Sequence, residues 1–218
     1  YSTIYAIRES PIQEGLIWVG ANDGPVHVTK DSGKTWENVT PNMPKGGRVD
    51  SVEPSPHDPA TAYVAILRYL MGDDQPYIYK TSDYGKTWTL LTDGKNGIPE
   101  DFPMLVVRED PAKKGILYAG TQFGLFISLN DGATWTPFKS NLPVTPITDI
   151  KIHQDDLVMS TMGRGFWILD NLMSLRGISE IGNQSMVFFD TKPAIRNMMS
   201  AQPETNGPEY PRAGAKLD

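Results

Sequence analysis

The sequence predicts an all-β fold: about four antiparallel four-stranded β-propeller blades, part of a larger propeller, followed by a short helix and an extended tail. Two repeating markers predict it. The first is an eight-residue segment that recurs three times without gaps, as Thr29-Lys-Asp31-Ser-Gly33-Lys-Thr35-Trp36, Thr81-Ser-Asp83-Tyr-Gly85-Lys-Thr87-Trp88 and Ser128-Leu-Asn130-Asp-Gly132-Ala-Thr134-Trp135. Its steps, 52 residues from Trp36 to Trp88 and 47 from Trp88 to Trp135, fall in the range of propeller blades. The second marker is a proline seven residues ahead of an aromatic residue: Pro11 before Trp18, Pro56 before Tyr63, Pro111 before Tyr118. Each of these prolines stands in a turn that leads into a short apolar strand.

Every part of the eight-residue segment has a structural role. Apolar or β-prone residues run into it (Val26-His-Val28, Tyr77-Ile-Tyr79, Leu125-Phe-Ile127) and out of it, which is the pattern of a hairpin with a short loop. Asp31, Asp83 or Asn130 accepts hydrogen bonds from backbone N–H groups ahead of it. Gly33, Gly85 and Gly132 supply positive φ. The hydroxyls of Thr29, Thr81 and Ser128 on one strand, and of Thr35, Thr87 and Thr134 on the other, close the loop. Trp36, Trp88 and Trp135 each offer a large face to bury against a neighbouring hairpin. The segment is therefore assigned structure and no chemistry.

Taken in order, blade 1 is expected to use roughly residues 3–8, 16–21, 25–29 and 35–39, and blade 2 roughly 48–53, 62–67, 77–81 and 87–92. Blade 3 uses roughly 104–108, 116–120, 124–128 and 134–138. Blade 4 begins at Ile147–Ile152 and continues through Leu157–Thr161 and Phe166–Leu169, without the eight-residue segment. Its outer strand comes from Met186–Phe189 or from a distant part of a longer chain. Asn171 is an N-cap, and Leu172–Arg176 reads as a helical turn or two ended by Gly177. The expected organisation is thus blades over 1–170, a short helix and closing strand over 171–190, and a Pro/Asn/Gly-rich linker or arm over 191–218.

Composition narrows the function. A net charge of −6 with no Lys/Arg run longer than two excludes the clustered basic footprint of a nucleic-acid or anionic-membrane binder. No stretch has the length of an apolar membrane helix. The absence of cysteine removes disulfides, thiol catalysis and Cys-ligated zinc. Three scattered histidines, His27, His57 and His153, give no metal-binding spacing, so neither metal nor cofactor is expected. With no initiator Met and no signal sequence, the chain is expected to be processed or cut from something longer.

The three eight-residue segments resemble the Asp-box (BNR) repeats of sialidases, sortilin-type receptors, xyloglucan-hydrolysing propellers and photosystem assembly factors. Leu16-Ile-Trp-Val-Gly-Ala-Asn-Asp-Gly24, Leu117-Tyr-Ala-Gly-Thr-Gln-Phe-Gly124 and Asp156-Leu-Val-Met-Ser-Thr-Met-Gly-Arg-Gly-Phe-Trp-Ile-Leu-Asp170 are similar to the C-terminal blades of bacterial sortilin-type exported propellers. The resemblance covers about residues 1–175 and implies an extracytoplasmic, bacterial protein whose propeller has more blades than this chain supplies. Where that family reads Thr-His-Gly-Arg, this sequence reads Thr161-Met-Gly-Arg164, which removes a polar group from the motif.

Glycoside hydrolysis, the enzymatic alternative the resemblance raises, needs a pair of carboxylates across the sugar. Asp23, Asp50, Glu53, Asp73, Asp74, Glu109, Asp110 and Asp149 are available, and turn capping or solvation accounts for most of them. A sialidase further requires three gathered arginines, and Arg8, Arg48, Arg68, Arg108 and Arg164 stand in no motif that carries that role. The reading therefore leans away from catalysis. Binding is expected instead at Arg164 with Trp167, where a guanidinium stands beside aromatic rings, and at Arg68 with Tyr69, in a long loop between two blade strands. The expected function is a non-catalytic module for protein or glycan binding, or for scaffolding, within a larger exported protein or assembly. Its partners are the rest of a longer chain, another protein subunit, or a glycan.

Overall fold

The computed structural model describes residues 2–43 and 45–178. Four antiparallel sheets follow one another along the chain in simple meanders. Blade 1 comprises β1 (Ile4–Glu9), β2 (Ile17–Ala21), β3 (Val26–Thr29) and β4 (Glu37–Asn38). Blade 2 comprises β5 (Arg48–Pro54), β6 (Ala62–Leu67), β7 (Tyr77–Thr81) and β8 (Thr89–Leu90). Blade 3 comprises β9 (Met104–Glu109), β10 (Leu117–Thr121), β11 (Gly124–Ser128) and β12 (Thr136–Phe138). Blade 4 has three strands among the described residues: β13 (Ile147–His153), β14 (Asp156–Thr161) and β15 (Phe166–Leu169). Helix α1 spans Met173–Ile178. The outer strand anticipated at Met186–Phe189 and the arm over 191–218 lie outside the described residues.

The first strands β1, β5, β9 and β13 pack side by side, so the sheets radiate from a shared axis as propeller blades do. Burial on both faces explains why the middle strands are unbroken apolar runs. In β6, Ala62, Val64 and Ile66 pack with Trp18, Val26 and Val28 of blade 1, while Tyr63 and Ala65 face the other way and pack with Val107, Leu117 and Phe126 of blade 3. Strand β10 repeats the division, Leu117 and Ala119 toward blade 2 and Tyr118 toward blade 4. The core is therefore three apolar layers, one between each pair of neighbouring blades.

All four first strands carry a bulge at the same place, between Ile4 and Ala6, Val49 and Ser51, Met104 and Val106, and Ile147 and Asp149. This shared irregularity fixes the structural equivalence of the blades residue by residue. The proline turns at the far end of these strands are closed by side-chain oxygens: Ser10, Ser55 and Asp110 accept from the N–H groups of Ile12, His57 and Ala112. Helix α1 begins where Asn171 Oδ1 accepts the Met173 N–H at 3.2 Å, and it contains Gly177 instead of ending at it. It is fastened beneath blade 3 by Arg176, whose guanidinium binds the fully buried Asp110 at 3.0 Å and Asp155 at 2.5 Å.

Candidate functional site

The three eight-residue turns are built alike. In the first, the Thr29 hydroxyl accepts the Gly33 N–H at 2.9 Å and donates to Asp31, while Asp31 accepts the Thr35 N–H at 2.9 Å and the Thr35 hydroxyl at 2.6 Å. Thr81, Asp83, Gly85 and Thr87 reproduce the set. In the third, Ser128 and Asn130 do the same work, except that Asn130 donates from its amide to the Thr134 hydroxyl at 2.9 Å. Thr35 and Thr87 hold the Asp31 and Asp83 carboxyls down to about 2. Two successive residues have positive φ in each turn: Ser32 and Gly33, Tyr84 and Gly85, Asp131 and Gly132. The Ser/Thr hydroxyls and the Asp31, Asp83 and Asn130 side chains are spent on the turns themselves, whereas Asp131 of the third turn reaches out to Tyr63 and Lys80 of blade 2. The tryptophans differ: Trp135 is buried and Trp88 packs edge-on against Trp18, but Trp36 is exposed, contrary to the burial expected for it.

Of the residues singled out for binding, Arg68 and Tyr69 lie in a cleft of about 290 Å³ at the starting end of the inner strands, together with Tyr5, Asn22 and Arg48. The guanidinium of Arg68 is held by Asp73 at 2.7 Å and by the carbonyls of Lys45 and Gly46, each at 2.6 Å. Burial works to raise Asp73, but the hydrogen bonds from Arg68, Tyr77 and Gln75 hold its carboxyl below the usual range. Tyr77 is pushed up to about 12, by burial and then by the Asp73 carboxylate it donates to. Arg48 pairs with Asp50 and lies over the Tyr5 ring at 4.4 Å. Arg68 thus pins the loop, and the 3₁₀ turn Tyr69–Met71 that follows it carries three exposed side chains, Tyr69, Leu70 and Met71. Arg164 sits in the exposed turn between β14 and β15, and its carbonyl accepts the Trp167 indole N–H at 3.1 Å. Trp167 packs in part on the layer between blades 3 and 4. These two residues therefore meet each other, within one turn, and neither lines the cleft of Arg68 and Tyr69.

A second cleft, of about 190 Å³, opens at the other end of the inner strands. Counted from the bulge, Arg8, Glu53, Arg108 and Lys151 occupy the same position in the four blades, and all four line it. Arg108 is tied at every side: to Asp149 Oδ1 at 2.6 Å, the Ser51 hydroxyl at 2.6 Å, the carbonyls of Val107 and Ile150, and Glu53 Oε2 at 3.4 Å. The Glu53 side chain is only 16% exposed. Burial pushes its carboxyl up to about 7; Arg108, Arg8 and Lys151 pull it down, and Asp149 adds to the rise. This ring was not singled out from the sequence, although Arg8, Glu53 and Arg108 each stand three residues before a turn proline. Among the described residues no group of three or more His, Cys, Asp and Glu side chains is placed to hold a metal.

No protein-family model matches the chain. Over 114 residues, half of its length, it is 35% identical to a vacuolar protein sorting/targeting protein 10 of the fungus Laccaria bicolor, and it spans 7% of that relative. Among solved structures, it is similar to the GH74 xyloglucanase of Xanthomonas campestris, with a TM-score of 0.60 at 14% identity over 76% of this chain and 29% of the enzyme. It is also similar to YCF48 bound to D1 peptide, with a TM-score of 0.56 at 15% identity over 78% of this chain and 51% of YCF48. At such identities the structural likeness establishes the β-propeller fold. The chain spans about half the length of these proteins or less. No helix of the described residues is long and apolar enough to cross a membrane.

Proposed function

We propose that the chain is an Asp-box β-propeller module that binds protein or glycan without catalysis, inside a larger exported protein of sortilin type. The observation that carries this reading is the Arg68–Tyr69 cleft, where the charged groups are already neutralised by one another and exposed aromatic and apolar side chains are presented over them. Arg48 with Asp50 and Arg68 with Asp73 form a rigid polar floor. Tyr69, Leu70 and Met71 stand on a loop held at both ends, Arg68 before them and the Asp73–Tyr77 hydrogen bond after. Rigid scaffolds with an anchored loop of this kind are where propellers place recognition. The xyloglucanase and the peptide-bound YCF48 support glycan and peptide as the two ligand classes to test.

The test is calorimetric titration with xyloglucan oligosaccharides and with a panel of extended peptides, on the parent and on Tyr69→Ala. Binding that falls at least about tenfold in Tyr69→Ala, with the thermal midpoint unchanged, is the expected result. Equal binding by the variant refutes the placement of the site.

One observation favours the glycoside hydrolase as a second reading. Glu53, raised to about 7, shares the axial cleft's Arg108 with Asp149, and a raised carboxyl with a second carboxyl at hand is what a general acid and its partner need. Release of reducing ends from xyloglucan by the parent, abolished in Glu53→Gln, is the result that selects it.

A further inference from the structure

We infer that the outward face of blade 1 is a docking surface for one further blade of the same repeat, supplied by the same longer polypeptide, with Trp36 donating its indole N–H to a backbone carbonyl of that blade's outermost strand. The inference rests on the reading of the chain as a module of a larger propeller.

Its ground is the interface already built twice inside the chain. Trp88 Nε1 donates to the carbonyl of Val39 at 2.7 Å, and Trp135 Nε1 to that of Leu91 at 3.3 Å. Val39 and Leu91 hold the same place in their blades: each is three residues past the tryptophan of its own turn, and their N–H groups bond the equivalent carbonyls of Val26 and Ile78. The turn glycines press on the same two residues. A Cβ on Gly85 would lie 2.6 Å from Val39 Cβ, and one on Gly132 would lie 2.7 Å from Leu91 Cδ1. The first turn has the same backbone, with φ of 59° and 88° at Ser32 and Gly33 against 62° and 85° at Tyr84 and Gly85. Yet a Cβ on Gly33 meets only its own Trp36, at 3.7 Å, and Trp36 is 44% exposed. The key is formed and its lock is absent from the described residues.

The inner strand agrees. Ile4 stands where blades 2, 3 and 4 have Val49, Met104 and Ile147, and Ile7 where they have Val52, Val107 and Ile150. Those six are all but fully buried against the preceding blade, whereas Ile4 and Ile7 are 60% and 61% exposed. Blade 4 shows the complementary deficit. Phe166 and Ile168 take the places of Val26 and Val28, which are buried beneath a following blade, and they are 80% and 58% exposed.

The chemistry of the occupant follows: a strand with an apolar residue three positions past a turn tryptophan, its carbonyl directed at Trp36. A second copy of this chain fits less well. Its uncovered end is blade 4, whose described strands include no outermost strand to offer that carbonyl. The fungal relative, the xyloglucanase and YCF48 extend well beyond the stretch that this chain covers, which leaves room for further blades in one polypeptide.

Hydroxyl-radical footprinting of the native polypeptide, read by mass spectrometry, compares three tryptophans in one sample without any variant. The expected result is a polypeptide longer than this chain in which Trp36 is oxidised no faster than Trp88 and Trp135. With 44% of its surface exposed against 3%, an uncovered Trp36 would be oxidised about tenfold faster than Trp135. Rapid oxidation of Trp36 in a longer polypeptide overturns the inference and leaves the larger-propeller reading standing. A native polypeptide no longer than this chain overturns both, and protection of Trp36 that then rises with concentration assigns the face to a second copy.

Discussion

Replacing Glu53 by Gln removes one ionisation and leaves the shape of the axial cleft intact. The Glu53 carboxyl is displaced from its ordinary 4.5 to about 7 because the fold takes it out of water faster than Arg108, Arg8 and Lys151 can compensate. A raised carboxyl means that the folded state holds the proton more tightly than the unfolded chain does. Its contribution is therefore intact below the unfolded value and is lost as pH rises toward the folded one, in the window from about 4.5 to 7. The whole displacement is worth roughly 3 kcal/mol, most of which falls between pH 5 and pH 8. Gln has no proton to lose. The stability of Glu53→Gln relative to the parent should thus improve by roughly 2–3 kcal/mol from pH 5 to pH 8, other titrating groups cancelling in the difference. Urea unfolding followed by tryptophan fluorescence at the two pH values measures it. A difference that stays flat, or that turns against the variant at pH 8, would show that the Arg108 pair outweighs burial and that Glu53 is ionised throughout.

The remaining predictions concern the joints between blades. Trp135→Ala removes a buried ring and should cost about 3–5 kcal/mol, while Trp36→Ala in this chain should cost under about 1 kcal/mol, both read by urea unfolding. Ser128→Ala leaves the Gly132 and Asn130 N–H groups without their acceptor and should cost about 1–3 kcal/mol; Asn130→Asp, which restores the form of the other two turns, should be neutral by the same measurement. Gly132→Ala and Gly33→Ala incur the same left-handed strain, but only the first drives a methyl into Leu91. Its thermal midpoint should therefore fall further, by the equivalent of about 1–3 kcal/mol.

Much of this architecture was legible from residues alone. The strands could be placed to within a residue or two because two-sided burial writes unbroken apolar runs such as Ala62–Leu67, and because the turn hydroxyls and glycines recur at one spacing. The axial ring was not, although three of its members keep a fixed distance from a proline. Blade 4 has Gln154 where the others have Pro11, Pro56 and Pro111, so Lys151 joins the set only when the bulges are superposed. The neutralisation of Arg68 was hidden for another reason: two of its partners are backbone carbonyls at Lys45 and Gly46, which no side-chain pattern records. Trp36 misled because its sequence context equals that of Trp88 and Trp135, and what differs is the neighbour. The Arg176–Asp110 pair joins positions that are remote in the chain and carries no periodic signal.

That last pair gives the array a direction. Blades that touch only their neighbours separate one joint at a time, and the joint that yields first sets the order. Helix α1 crosses from blade 4 to blade 3, with Arg176 on Asp110 and Lys113 Nζ on the Arg176 carbonyl at 2.8 Å, so the last joint is stapled from below. The first joint rests on the apolar layer, the Trp88–Val39 bond and two cations stacked on rings, Arg48 over Tyr5 and Lys30 over Tyr84. Among these four blades, the joint between blades 1 and 2 is therefore expected to open before the joint between blades 3 and 4 under load or denaturant.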